Sequence, residues 1–339
     1  MKILIVQTSF LGDTILSTPV IQGVHTLHPE AEIWMMTTPL SAKLVENDPL
    51  LKGVIPFDKR GSAKGFRGLF AMAEKIRGMG FQRVYSLHRS IRTSAMLALA
   101  KIPERIGFSN AKGRWLYQKT FQRNPEVHDV LRNLAILEGE KELEKLPAEM
   151  RLFPPADDAV SKKVKESLPE QFVLMVPGSA WKTKMWYSGG YHEVAKRLIE
   201  MGMPVVTAGG PDEMPACAEV ARGLEVVNLA GQTNIAEMIW VAKRAKLIIC
   251  NDSMALHMAS ALKVPNVAIF CSTIPAFGFG PWKNRAIVVE KEMACRPCGR
   301  HGKKECPKNT EACMRDITPQ QVFEAATKLL QESAPGDKR

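Results

Sequence analysis

Residues 246–262, KLIICNDSMALHMASAL, read as one strand, one turn and one helix. A short continuous apolar run, Leu247 to Cys250, suits a strand covered on both faces, as in a parallel sheet. Asn251 and Asp252 end the strand, and a helix opens at Ser253 and runs to Leu262. A helix that begins there aims its free N–H groups and the positive end of its dipole into the crevice where open α/β sheets bind ligands. His257 lies four residues after Ser253, one turn along the same face, where it can donate a hydrogen bond to the same ligand. Taken by itself, the segment fits a plainer reading equally well, with Asp252 a cap and His257 a packed core side chain.

Working outward, the second half repeats the pattern. FVLMVPGSAW (172–181), PVVTAGG (204–210), EVVNLAG (225–231) and NVAIFCS (266–272) read as strands running into turns. Helices follow, from about Ser188 to Met201, through Arg222 and to Arg244. In the first half KILIVQ (2–7), AEIWMMT (31–37), VIPF (54–57) and RVYSLH (83–88) read as buried strands, with helical patterns over Thr14–Leu27 and Arg67–Met79 between them. Alternation of this kind implies parallel βαβ units. Residues 138–159, EGEKELEKLPAEMRLFPPADDA, combine a charge run with a Pro pair and suit a linker. The sequence therefore predicts an α/β protein of two Rossmann-like domains, 1–155 and 156–317, with a central cleft. A last helix within 318–333 starts at TPQQV, with Thr318 as N-cap and Pro319 in the first helical position.

At 339 residues the chain accommodates two domains of about 150 residues each. Its 45% hydrophobic and 24% charged residues give an ordinary globular balance. No apolar run approaches the ~18 residues of a membrane span, and MKILIVQT lacks the length and cleavage site of a signal peptide, so a cytoplasmic protein is expected. The formal charge of +11 calls for anionic partners. Residues 1–155 hold 22 basic and 15 acidic side chains, which makes the first half the better dock for a large anion. Neither G-x-G-x-x-G after the first strand nor a P-loop occurs, so dinucleotide and mononucleotide fingerprints are excluded.

Two further turns of the second half carry suitable chemistry. GSAWKTKMW (178–186) sets Gly178, Ser179, Lys182, Thr183 and Lys184 at a strand's carboxyl edge, where small residues let backbone N–H groups approach an anion and lysine neutralises phosphate. AGGPDE (208–213) brings Glu213, able to accept hydrogen bonds from ribose hydroxyls. Three turns of one sheet with phosphate- or ribose-suited groups describe one nucleoside diphosphate site better than three separate caps. Near the N-terminus VQTSFLGDTILSTP (6–19) places Asp13 where a strand gives way to a helix, as an N-cap or as a carboxylate facing ligand.

Together ILIVQTSFLGDTILSTP, VPGSAWKTKMW, AGGPDE and NDSMALHMASAL resemble the ADP-heptose:lipopolysaccharide heptosyltransferases of glycosyltransferase family 9, most closely the heptosyltransferase II branch. The resemblance spans nearly the whole chain, in order and spacing. It implies a GT-B fold, an N-terminal domain for a phosphorylated lipid A–Kdo inner-core acceptor, a C-terminal domain for ADP-heptose, and a last helix that crosses back to the first domain. By position it implies Asp13 as general base, Lys184 on the diphosphate, Glu213 near the ribose, Asp252 and His257 in the donor site, and Ser253 at the phosphate-binding helix start. Met254 departs from the family, which commonly has Gly there.

On the acceptor side, LHRSIRTS offers Arg89 and Arg92, KRGSAKGFR offers Lys59, Arg60, Lys64 and Arg67, and KGRWLYQKTFQR mixes Lys112, Arg114, Lys119 and Arg123 with Trp115, Tyr117 and Phe121. Basic and aromatic residues mixed in this way suit phosphorylated sugars and peripheral contact with the anionic face of the inner membrane. Solvated charge and ordinary packing account for any one of them equally well. No cofactor is required, magnesium being compatible with the diphosphate. Cys295, Cys298, Cys306 and Cys313, with His301 among them, begin with C-x-x-C, yet the later gaps are looser than in most zinc knuckles, so a reduced or redox-active loop is preferred to Zn2+. A zinc-dependent nucleic-acid-binding protein is the rival of another class; no recognition helix follows the cysteines, and no nucleic-acid partner is expected.

Overall fold

The computed structural model describes residues 1–59, 61, 63–138 and 146–332, so Arg60 lies outside the described residues. The chain forms two units, Met1–Phe153 and Pro154 onward, two residues before the expected boundary. The first holds a parallel sheet of β1 (Lys2–Val6), β2 (Glu32–Thr37), β3 (Leu51–Pro56), β4 (Arg83–Ser86), β5 (Glu104–Phe108) and β6 (Lys119–Phe121), in the order β3-β2-β1-β4-β5-β6. The second repeats it with β7 (Val173–Val176), β8 (Val205–Thr207), β9 (Val226–Asn228), β10 (Leu247–Asn251), β11 (Asn266–Phe270) and β12 (Ala286–Glu290), ordered β12-β11-β10-β7-β8-β9. Each is the doubly wound arrangement, and its strand order reverses between β1 and β4 and between β7 and β10. Those reversals open a crevice at the carboxyl edge.

Central strands are buried along their full length, as helices on both faces require: every residue of β7, β10 and β11 is buried. Three strands escaped the sequence pattern. β6 is short and exposed at a sheet edge, β12 holds the corresponding edge of the second sheet, and β5 (ERIGF) mixes charge and glycine with its apolar residues. The helix expected over Thr14–Leu27 is split into Leu11–Leu16 and Thr18–Leu27, because Pro19 lacks the N–H that would continue the ladder.

The last helix, Pro319–Gln331, starts as expected, with the Thr318 hydroxyl accepting the Gln321 N–H at 3.3 Å. Val322, Ala325, Ala326 and Leu329 of its apolar face are buried in the second unit's core with Val173, Leu247 and Val267.

Candidate functional site

At the reversal in the second sheet, Asn251 ties the two central strands together. Its amide donates to the Pro177 carbonyl at 2.7 Å and its Oδ1 accepts the Trp186 N–H at 2.9 Å. Trp186 is itself buried and donates from Nε1 to the Ile317 carbonyl at 3.0 Å. The turn after β7 is thereby fixed against the turn after β10. Ser179 closes the same junction, its hydroxyl 3.4 Å from the Asp252 carbonyl.

Asp252 is not a cap. Its buried carboxylate pairs with the Lys184 ammonium at 2.7 Å and accepts the Thr273 hydroxyl at 2.6 Å, uniting the connections after β7, β10 and β11. The cap position belongs to Ser253, with extended backbone, ahead of the helix Met254–Leu262. Its hydroxyl is buried and makes no hydrogen bond, leaving a donor at the start of a nine-residue helix. A buried orphan of this kind costs about 1–3 kcal/mol until a ligand supplies its partner. His257 is buried one turn along this helix, and Met254 is part-exposed in its first position.

Glu213 joins from β8. Its Oε2 accepts the Gly210 N–H at 2.7 Å, and burial, its largest influence, raises its carboxyl above the ordinary range. Its other oxygen lies so close to Gly178 that a Cβ there would come within 2.0 Å. The carboxylate therefore sits against the turn after β7. Ser179, Lys184, Glu213, Asp252, Ser253 and His257 are thus gathered on one sheet edge.

The sequence singles out the cysteine-bearing loop but not its docking on these turns. Thr183 donates to the Lys303 carbonyl at 3.0 Å, accepts the Lys303 N–H at 2.7 Å and lies 3.0 Å from the Ser272 hydroxyl. The Cys298 N–H reaches the Ser272 carbonyl at 2.9 Å, and Arg296 donates to the Thr273 carbonyl. The cysteine-bearing segment is docked on the Lys184 turn. Its thiols are free, with Cys295 exposed, Cys298 and Cys306 part-buried and Cys313 buried. Burial and the three neighbouring thiols push Cys313 up to about 11. Among the described residues no three His, Cys, Asp or Glu side chains are grouped to hold a metal ion.

At the reversal in the first sheet, Asp13 sits in the first turn of the helix Leu11–Leu16 and is not its N-cap; that position is Phe10. The carboxylate reaches back to accept the Phe10 N–H at 3.1 Å. Burial pushes its pKa up to about 6, with the Asp129 carboxylate adding to the rise, while the Phe10 bond, Arg123 and Arg89 oppose it. Asp129 is buried and bonded by Arg123, the fully buried Arg132 and Asn133, whose amide also donates to the Leu16 carbonyl at 3.1 Å. His88 follows β4, its Nδ1 3.0 Å from the Thr8 hydroxyl and 2.7 Å from that of Thr93. Burial and the cations Lys59 and Arg89 push it down to about 4, so it is neutral at pH 7.

Arg89 is exposed beside these groups. Arg92 is engaged elsewhere: its guanidinium donates to the carbonyls of Ala63 and Gly65 and lies 5.9 Å from the Phe57 ring. These bonds hold the segment that leads into the helix Gly65–Met79. Asp129 and Arg123 went unnoticed as partners of Asp13, since no spacing links them to it.

A family model described as glycosyltransferase family 9 (heptosyltransferase) matches residues 69–309, most of the chain. The chain belongs to this family. Lys184, Glu213, Asp252, Ser253 and His257 fall inside the matched segment of this glycosyltransferase, and Asp13 precedes it. Lipopolysaccharide heptosyltransferase 2 of Escherichia coli (strain K12) is 27% identical, covering 98% of this chain and 100% of its own length. The crystal structure of the glycosyl transferase family 9 from Veillonella parvula DSM 2008 matches with a TM-score of 0.87 at 24% identity, covering 98% of each chain. The structure of E. coli ADP-heptose lps heptosyltransferase II matches with a TM-score of 0.80 at 26% identity, covering 98% of this chain and 100% of the other. The two doubly wound sheets are those of a GT-B fold, and membership of a transferase family sets aside the nucleic-acid-binding reading.

Proposed function

We propose that this glycosyltransferase moves heptose from ADP-L-glycero-D-manno-heptose to the heptosyl-Kdo2-lipid A inner core, with inversion at the anomeric carbon. The observation that carries the reading is the Lys184–Asp252 pair beside the unpartnered Ser253 hydroxyl at the head of a helix, which suits a diphosphate. Lys184, the Ser253 hydroxyl and the first N–H groups of that helix stabilise the charge that grows on departing ADP. Glu213 accepts from the ribose hydroxyls, and His257 adds a donor. Asp13 takes the acceptor proton, a task suited to a carboxyl raised to about 6. The acceptor oxygen bonds to the anomeric carbon, the bond from that carbon to the phosphate oxygen breaks, and ADP leaves with the electron pair. No protein ligand is assigned to magnesium, and the cysteines take no part in the chemistry. Arg89 meets the anionic acceptor, and the protein works peripherally at the inner-membrane face where a lipid-anchored acceptor resides.

The test is transfer from ADP-heptose to purified inner-core acceptors carrying zero or one heptose, with the product's anomeric configuration read by NMR. Extension of the one-heptose acceptor with inversion is expected. Extension of the heptose-free acceptor in its place would move the protein to another step, and retention would remove the single displacement.

A further inference from the structure

The cysteine-bearing segment lies on the Lys184 turn as a strap. Lys303 holds Thr183 through both its N–H, at 2.7 Å, and its carbonyl, at 3.0 Å, and Gly302 comes so close to the Lys184 stem that a Cβ there would lie 3.0 Å from Cγ. Both residues fall between Cys298 and Cys306. The chain between these cysteines turns at Gly299 and Gly302, whose φ angles of 115° and 76° suit glycine alone without strain. Cys298 anchors the start of the strap, with its N–H on the Ser272 carbonyl at 2.9 Å and its thiol 3.3 Å from the Cys295 carbonyl.

At the far end, the Cys306 sulfur accepts backbone N–H groups, that of Glu311 first and then those of Lys308, Thr310 and Asn309, which hold its thiol below the ordinary range. Cys306 is part-buried, and Lys303, Lys304 and Lys308 are exposed along the same segment. A thiol that ionises readily in accessible, basic surroundings is a nucleophile toward disulfides. Burial raises the Cys298 thiol, and the neighbouring Cys295 and Cys306 add to the rise, so Cys306 has a thiol beside it that can complete an exchange. Cys313 is buried in the second unit's core with Val289 and Ile317, where a thiol is inert.

We propose that Cys298 and Cys306 form a reversible disulfide across the strap, a modification site that controls ADP binding at the Lys184 turn. The consequence for ADP rests on the donor site proposed above; the bond itself does not. The Cys306 thiolate attacks a low-molecular-weight disulfide such as glutathione disulfide, forming a mixed disulfide and releasing one thiolate. Cys298 then gives its proton to that thiolate and attacks the Cys306 sulfur, expelling the second as the internal bond closes. Two protein thiols are oxidised, one external disulfide is reduced to two thiols, and excess small thiol reverses the exchange. The bond brings the two Cα atoms to within about 7 Å. Cys298 is anchored on Ser272, so the movement falls on Gly302 to Cys306, and Thr183 loses the two-way bond that steadies the Lys184 turn.

The test is treatment of the full chain with glutathione disulfide, followed by alkylation, peptide mass mapping and calorimetric ADP titration, for wild type, Cys295→Ser and Cys306→Ser. Wild type and Cys295→Ser are expected to yield a linked Cys298–Cys306 peptide and to bind ADP about tenfold more weakly until dithiothreitol restores them. Cys306→Ser should keep the affinity of reduced wild type throughout. A Cys295–Cys298 bond in place of the expected one, glutathione adducts with no internal bond, or an internal bond that leaves ADP affinity unchanged overturns the proposal. Thiols that resist glutathione disulfide because one zinc ion per chain copurifies with them overturn it as well. Absence of ADP binding by reduced wild type, with the linked peptide present after oxidation, counts against the donor site and leaves the disulfide standing.

Discussion

Asp13 sits at the balance of five influences: burial and Asp129 resist its ionisation, while the Phe10 N–H, Arg123 and Arg89 favour it. As a base it works ionised, so turnover should fall as pH drops through about 6, a limb visible in kcat/KM against pH. Asp129→Asn removes a like charge and should move that limb about half a unit to one unit toward acid; Arg123→Gln should move it the other way. The same carboxyl carries a stability cost. A group whose folded pKa is raised destabilises the fold above that value and not below the ordinary 3.8. Asp13→Asn should therefore be about 1–2 kcal/mol more stable than wild type at pH 8 in urea titrations, with the difference gone near pH 3.5. Asp13 was legible because a strand running into a helix is a local pattern. Asp129 was not, since it arrives from over a hundred residues away and its burial has no sequence period.

At the scale of elements, the donor site is a set of turns held in register by side chains that never touch the ligand in this account. Gly178 leaves room for the Glu213 carboxylate, so Gly178→Ala should push it out, cost about 1–3 kcal/mol and weaken ADP binding, as calorimetry would show. Thr183 joins the Lys184 turn to Lys303 and Ser272. Thr183→Val keeps the shape and removes those bonds, so the cysteine segment should loosen: thiol labelling at Cys298 and Cys306 should quicken, and ADP affinity should fall about tenfold. Strand, turn and helix order made the ligand-bearing turns readable. The docking of residues 291–311 on them was hidden, because loop-to-loop hydrogen bonds obey no spacing rule. The capped start of the last helix was readable from TPQQ, whereas the surface it covers depended on which core had room for its stripe.

At the scale of the molecule, each unit has its own sheet and its own buried core, so the two can melt separately. ADP at one hundred times its Kd should stabilise the unit it binds by about 2.7 kcal/mol, raising the second unit's transition by about 5–10 °C and leaving the first unit's in place. The division into two Rossmann-like domains was visible in the alternation of apolar runs and helical patterns, and it failed only for β5, β6 and β12, which lie at or next to sheet edges. In the proposed reaction the first unit supplies the base and the second holds the donor. The most direct measurement is heptosyl transfer to the one-heptose acceptor by wild type and Asp13→Asn at saturating ADP-heptose, together with calorimetric ADP binding by both. Loss of turnover by about a thousandfold or more with unchanged ADP affinity is the predicted result. Full turnover by Asp13→Asn would contradict it and leave Asp13 as a brace for the first turn of its helix.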